Sequence, residues 1–227
     1  MPARRAAPAP PRPDRKAAIL LAAEKLFALH GYDAVSLRQI AEEAGVPLAL
    51  VGYYHGQKHE LFEAVFAHWQ VTIDERMAGL REALAAPPRE RLARLVQAFT
   101  GPVLRLRASA EGEYYALMVA RELSTAREHT DRVLREFFDP MAHAFIAALQ
   151  SVLPHASLGD AAWCYQFMLG SLLHHISDDR VERLSKGRCR AADAAAAPML
   201  DRFILGGLRA ALPAPARSIA ATKRRPS

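Results

Sequence analysis

The sequence predicts an all-α protein, with three short helices forming an N-terminal helix-turn-helix domain and a larger helical domain behind them. Three observations carry this. Apolar residues recur at helical spacing through almost the whole chain, and no stretch alternates with period two for long. Ala41, Gly45 and Val51 stand where two short helices cross closely, turn and pack back on each other, with Ile40 and Ala44 completing the buried face. Residues 161–173, AAWCYQFMLGSLL, are apolar on nearly every side, and a helix of that kind must be covered all round.

In order along the chain, a first helix is expected from Asp14 to His30, with Ile19, Ala23, Leu26 and Phe27 inward and Gly31 ending it. A second runs from Ser36 to Ala44, because Ser36 is a strong N-cap and Gln39 three residues later completes a capping box. Gly45 closes it, and Pro47, acceptable at a first helical position, opens a third helix to Tyr54. The fourth reads as one long helix from Lys58 to Leu84, stopped by Pro87-Pro88. Further helices are expected at 88–107, 112–124, 128–152, 158–177 and 191–212, with Gly101-Pro102 and Pro140 bending or breaking two of them. The charged stretch DDRVERLSKGRCR at 178–190 reads as a loop or a short helix. The expected domains are 14–60 and 61–212, between disordered basic tails at 1–13 and 213–227.

The helix at 161–173 can face its own core on one side and a second copy on the other. The last helix carries Met199, Phe203, Leu208 and Leu212, with Gly206-Gly207 in its middle. Two glycines there cost about 1 kcal/mol each relative to Ala, which close approach of another helix offsets. The expected homodimer interface is therefore Trp163, Phe167, Leu172, Phe203, Gly207 and Leu208; a well-buried core helix is the alternative.

At 227 residues the chain can bury a real core, and 51% hydrophobic with 24% charged residues is the balance of a folded domain rather than a disordered one. Of the net charge of +6, residues 1–13 hold +3 (Arg4, Arg5, Arg12) and residues 213–227 hold +4 (Arg217, Lys223, Arg224, Arg225), which leaves −1 for the body. The tails can add sequence-independent attraction to phosphates. Cys164 and Cys189 are expected to be free thiols. The proline-rich start has no apolar leader, and no uncharged apolar run reaches about 18 residues. The expected compartment is the cytoplasm, with no membrane partner.

The segment RKAAILLAAEKLFALHGYDAVSLRQIAEEAGVPLALVGYYHGQKHELFEAVF, residues 15–66, resembles the N-terminal domain of the tetracycline-repressor (TetR/AcrR) family throughout. The marks are AAEKLF then GY, SLRQIAEEAGV, and Tyr53, Lys58, Glu60 and Leu61. The resemblance implies a homodimer that binds a near-palindromic double-stranded operator. It also implies a repressor that lets go when a small apolar or amphipathic effector enters the C-terminal domain. WCYQFMLG at 163–170 resembles, over its short length, a subgroup that includes fatty-acid and acyl-CoA sensors. Three residues depart from the family: Gly52 for a polar or aromatic residue, His55 for a Phe under the recognition helix, and Pro47 for a Ser or Thr cap.

Ser36 is placed to meet a phosphate through its hydroxyl, or to act as a cap alone. Arg38 matches a position that reaches a base edge, and is otherwise a solvated charge. Leu48 and Ala49 can touch a thymine methyl. Tyr53 is assigned to phosphate and Tyr54 to bases, with half-buried packing as the competing role for each. Lys58 is assigned to phosphate. Residues 14–58 balance to zero charge, so binding rests on the placement of charges. The large apolar residues Phe99, Tyr115, Met118, Phe138 and Phe145 are candidates for an effector pocket, and core packing explains each equally well. Arg121 joins them because a charge within YYALMVAREL needs a partner, either Glu122 or an anionic ligand.

No catalytic set, cofactor motif or metal motif appears, and the chain is expected not to be an enzyme. His174, His175 and Asp178 form the one cluster that could ligate a metal, but histidines ending a buried helix explain them more simply. Two alternatives stay open: a DNA-binding regulator without a ligand, and a helical enzyme or metal-binding protein.

Overall fold

The computed structural model describes residues 14–110, 112–124 and 128–212, and these form helices with no strand among them. The two basic tails lie outside the described residues. The helices are α1 Arg15–His30, α2 Leu37–Glu43, α3 Leu48–His55, α4 Lys58–His68, α5 Gln70–Ala85, α6 Arg91–Ala108, α7 Glu113–Leu123 and α8 Glu128–Val133. A π-helical turn, Leu134–Phe138, leads into α9 Asp139–Val152. Then follow α10 Leu158–Ser177, α11 Arg180–Leu184, a 3-10 turn at Ala194–Ala196 and α12 Ala197–Ala211.

Local chemistry fixes most of the boundaries. Asp14 caps α1 by accepting from the amides of Lys16 and Ala17. Ser157 and Asp160 form a capping box on α10. Pro140 stands at the first turn of α9, directly after the π-helical turn that interrupts the expected 128–152 helix. Pro102 is carried inside α6, its ring buried, so Gly101-Pro102 does not end that helix.

The expected single helix from Lys58 to Leu84 is two helices that meet at Trp69 (φ −96°, ψ 13°). No proline or glycine sits there. The Trp69 indole N–H instead donates to the Glu24 carboxylate at 2.7 Å, and the ring stacks on Tyr115 with centroids 5.5 Å apart.

Packing divides the chain into two compact units, and the division differs from the expected boundary at residue 60. One unit comprises residues 14–71 with 109–137, the other residues 72–108 with 138–212. In the first, Ile19, Phe27, Ile40, Val51, Leu61, Phe62, Phe66 and Met118 are buried, with Phe27, Phe62 and Phe66 edge to face. In the second, Phe99 meets Phe145 and Tyr165 edge to face, and the buried Arg76 guanidinium lies 4.3 Å from the centre of the Phe99 ring. A Cβ on Gly79 would come within 2.9 Å of the Ala98 side chain, so glycine permits the close approach of α5 and α6.

Candidate nucleic-acid interface

The helix pair α2–α3 is built by short-range chemistry. The Gln39 backbone N–H donates to the Ser36 hydroxyl, while the Gln39 side-chain oxygen accepts from both the Ser36 amide and hydroxyl at 2.8 Å. Gly45 turns the chain at φ +64°, where a side chain is strained, and the Val46 amide then donates back to the Ala41 carbonyl at 3.0 Å. Ala41 and Val51 are buried between the helices.

That packing leaves one face of α3 outward. Leu48, Ala49, Gly52, Tyr53 and Tyr54 are exposed, and Tyr53, at 79%, is too exposed to be a packing residue. The two tyrosine rings sit edge to face, 5.0 Å apart, which limits their freedom at little entropic cost. Arg38 is exposed on α2. His55 is half-buried, and its Nε2 lies 3.1 Å from the Lys16 carbonyl, tying the end of α3 to the first turn of α1.

Cations near this face are partly committed elsewhere. Lys25 is paired with Glu43 at 2.5 Å. The Lys58 ammonium lies 4.3 Å from the centre of the Tyr32 ring, and burial lowers its pKa from the ordinary lysine value. A cation over a ring still turns part of its ammonium outward, so this contact is compatible with a phosphate at its other side.

The effector-pocket candidates divide between the two units. Tyr115, Met118 and Arg121 belong to the first unit, and Phe99, Phe138 and Phe145 to the second. Phe99, Tyr115, Met118, Phe138 and Phe145 are buried core residues. Arg121 is exposed, and its guanidinium donates to the Leu29 carbonyl at 3.2 Å, so one of its partners is the end of α1.

The interface residues divide as well. On α10 an inward stripe of Cys164, Tyr165, Met168, Leu172 and Ile176 is buried. Trp163 and Phe167, stacked 5.8 Å apart, are 66% and 61% exposed. On α12, Ile204 and Leu208 are buried while Met199 and Phe203 are exposed. Leu172 and Leu208 are therefore core residues of their own chain, because they fall on the inward stripes. A Cβ on Gly206 or Gly207 would meet nothing within 4 Å among the described residues, so no close approach there requires a glycine. Between α10 and α12 runs an apolar groove of about 380 Å³, lined by Met168, Gly170, Phe203 and Gly207 among others. Burial pushes the Cys164 thiol pKa up, which suits an inert packing cysteine.

His174 lies 3.9 Å from Asp178, whose carboxylate is held at 2.6 Å by Arg180 and kept below the usual carboxylate range by that hydrogen bond. His175 is half-buried, and burial lowers its pKa. Among the described residues no three His, Cys, Asp or Glu side chains are grouped to hold a metal ion.

Glu24 is one of several buried polar groups, Arg76 among them, that the apolar spacing does not announce. Glu24, 1% exposed, accepts from the Trp69 indole and from the Tyr115 backbone amide, and burial raises its pKa. Its signal was present: an acid among the inward-facing residues of ILLAAEKLF.

Comparison with known proteins agrees with this geometry. The family described as bacterial regulatory proteins, tetR family, matches residues 19–65, and the tetracyclin repressor-like C-terminal domain matches residues 97–207, together well over half of the chain. The HTH-type transcriptional activator FasR of Mycolicibacterium smegmatis is 35% identical over 91 residues, 39% of this chain. The match spans only 40% of that activator's own length. The fatty acid degradation regulator FadR from Bacillus halodurans superposes with a TM-score of 0.62 at 19% identity, covering 88% of this chain and 99% of that one. FadR from Bacillus subtilis, solved in complex with stearoyl-CoA, superposes at 0.59 and 16% identity, covering 84% and 98%. At such identities the likeness is one of fold. The chain belongs to the tetR family of bacterial regulatory proteins, and the family's N-terminal match, residues 19–65, takes in the helix pair α2–α3.

Proposed function

We propose that the chain is a cytoplasmic, homodimeric repressor that holds a near-palindromic operator through α3 of each copy. A small apolar or amphipathic effector bound among the helices of the C-terminal domain releases it. The observation that carries the reading is the outward face of α3, with Leu48, Ala49, Tyr53 and Tyr54 exposed after a turn fixed by Gly45, and Arg38 exposed on α2. Such a helix pair offers methyl contacts and hydroxyl donors from α3 and a guanidinium from α2 to the major groove. The solved regulator that carries stearoyl-CoA makes long-chain acyl-CoA the first effector class to try. A second reading, activation rather than repression, is favoured by the name of the 35% identical relative. A regulator without any ligand is the remaining alternative.

The test is selection of binding sites from a random duplex pool with the full chain, followed by titration of the winner with and without stearoyl-CoA. We expect an inverted repeat whose half-sites lie about one helical turn apart or somewhat more. Because linkage is reciprocal, an effector that weakens operator binding must itself bind the DNA complex more weakly by the same factor. A selected site with no inverted repeat overturns the dimeric operator reading. An acyl-CoA that binds while operator affinity stays constant overturns its role as effector.

A further inference from the structure

Helix α7 lies inside the segment matching the family's C-terminal domain, yet it packs in the same unit as the DNA-binding helices and against α1. Two polar contacts fasten it there. At one end the Glu24 carboxylate of α1 accepts from the Tyr115 amide of α7, and also from the Trp69 indole at 2.7 Å. At the other, the Arg121 guanidinium of α7 donates to the Leu29 carbonyl in the last turn of α1, and its Nη1 lies where a Cβ on Gly31 would be only 3.3 Å away.

We propose that Glu24 and Arg121 are positioning residues for operator binding, a two-point latch through which α7 sets the orientation of α1 and of the helix pair built on it. This rests on the reading of α3 as the DNA-reading helix. The two points are about 9 Å apart along α7 and about 7.5 Å apart along α1, from the helical rise per residue. A single contact leaves a helix free to tilt about it; two contacts at that separation fix its direction. Trp69 adds the junction of α4 and α5 to the same node, so three segments meet on one carboxylate. The chemistry suits positioning better than stability. Burying an acid costs free energy that an apolar side chain of similar volume avoids, while the hydrogen bonds it demands have direction. Anything that moves α7 must then either carry α1 with it or break a buried hydrogen bond.

The test uses the full chain and the selected operator. Glu24→Gln keeps the shape but replaces one accepting carboxylate oxygen with an NH2 that cannot accept, and Arg121→Ala removes the second point. Each is expected to weaken operator binding roughly five- to hundredfold, the usual range of coupling between sites, with far-ultraviolet circular dichroism and oligomeric mass unchanged. The double variant is expected to bind no more weakly than the worse single variant, because losing either point already frees the tilt. Purely structural roles would instead give additive losses of melting temperature and wild-type affinity in the folded protein, and that result overturns the latch. Should Glu24→Gln fail to fold, Trp69→Phe removes only the indole donor and keeps the stacked ring; if it folds and binds like wild type, the latch is likewise overturned. Wild-type protein that selects no site sinks both the functional reading and the latch, whereas wild-type binding with unaffected variants sinks the latch alone.

Discussion

Arg38 on α2 and Lys58 at the start of α4 are the two cations proposed to meet the operator, and their surroundings assign them different work. Arg38 is exposed on α2. A guanidinium can meet guanine in two-pronged fashion. Lys58 is half-buried against Tyr32, a point charge on a short leash. Arg38→Ala is expected to cost about 1–3 kcal/mol in operator binding and to relax the preference at one position per half-site. Lys58→Ala is expected to weaken operator and scrambled duplex alike and to reduce the salt dependence by about one unit per contact. Titrations of both duplexes over a series of salt concentrations separate the two. If Arg38→Ala keeps affinity and selectivity, Arg38 faces away from the bases. If Lys58→Ala leaves the salt slope unchanged, its cation serves the Tyr32 ring alone.

Among the elements, the turn between α2 and α3 isolates a backbone effect. A Cβ on Gly45 would meet no atom within 4 Å, so Gly45→Ala adds no clash and only forces a side chain into the left-handed region. That should lower stability by about 1–2 kcal/mol in urea unfolding. A neutral result would show that the turn relaxes to another conformation, and operator affinity would then report the displacement of α3. This turn was legible in the sequence because everything that makes it is local: cap, capping partner, small crossing residue and glycine within ten positions. The ends of α1 and α10 were legible for the same reason. The break at Trp69 was not, since the apolar spacing of Leu61, Phe62, Val65 and Phe66 continues to Ile73 without a helix breaker. It is marked by a hydrogen bond to a residue 45 positions away. Nor could size and apolarity separate pocket from core, and Phe99 and Phe145 turned out to pack on each other.

For the whole molecule, the exposed aromatic face of α10 and α12 demands an explanation. Trp163, Phe167, Met199 and Phe203 stand in water beside an apolar groove, and exposed apolar side chains clustered in this way mark an interaction surface. Light scattering is expected to give twice the mass of the chain. Trp163→Glu with Phe203→Glu should return the chain mass, because two buried carboxylates per copy cannot be desolvated against aromatic rings. Operator binding should fall with it, since one reading helix then grips a single half-site. A variant that stays a dimer places the subunit contact elsewhere. The placement of α7 has another consequence, for how such a protein can be recombined. The reading head is not a contiguous cassette: cut from the chain after residue 66, α1 would keep its buried Glu24 but lose the Tyr115 amide and the Arg121 cap. Exchanging sensor halves between relatives at that point would join each head to a stranger's α7. A hybrid that keeps residues 109–137 with the donor of the head preserves those bonds, so an exchange that carries α7 along with the head is the one expected to keep operator binding.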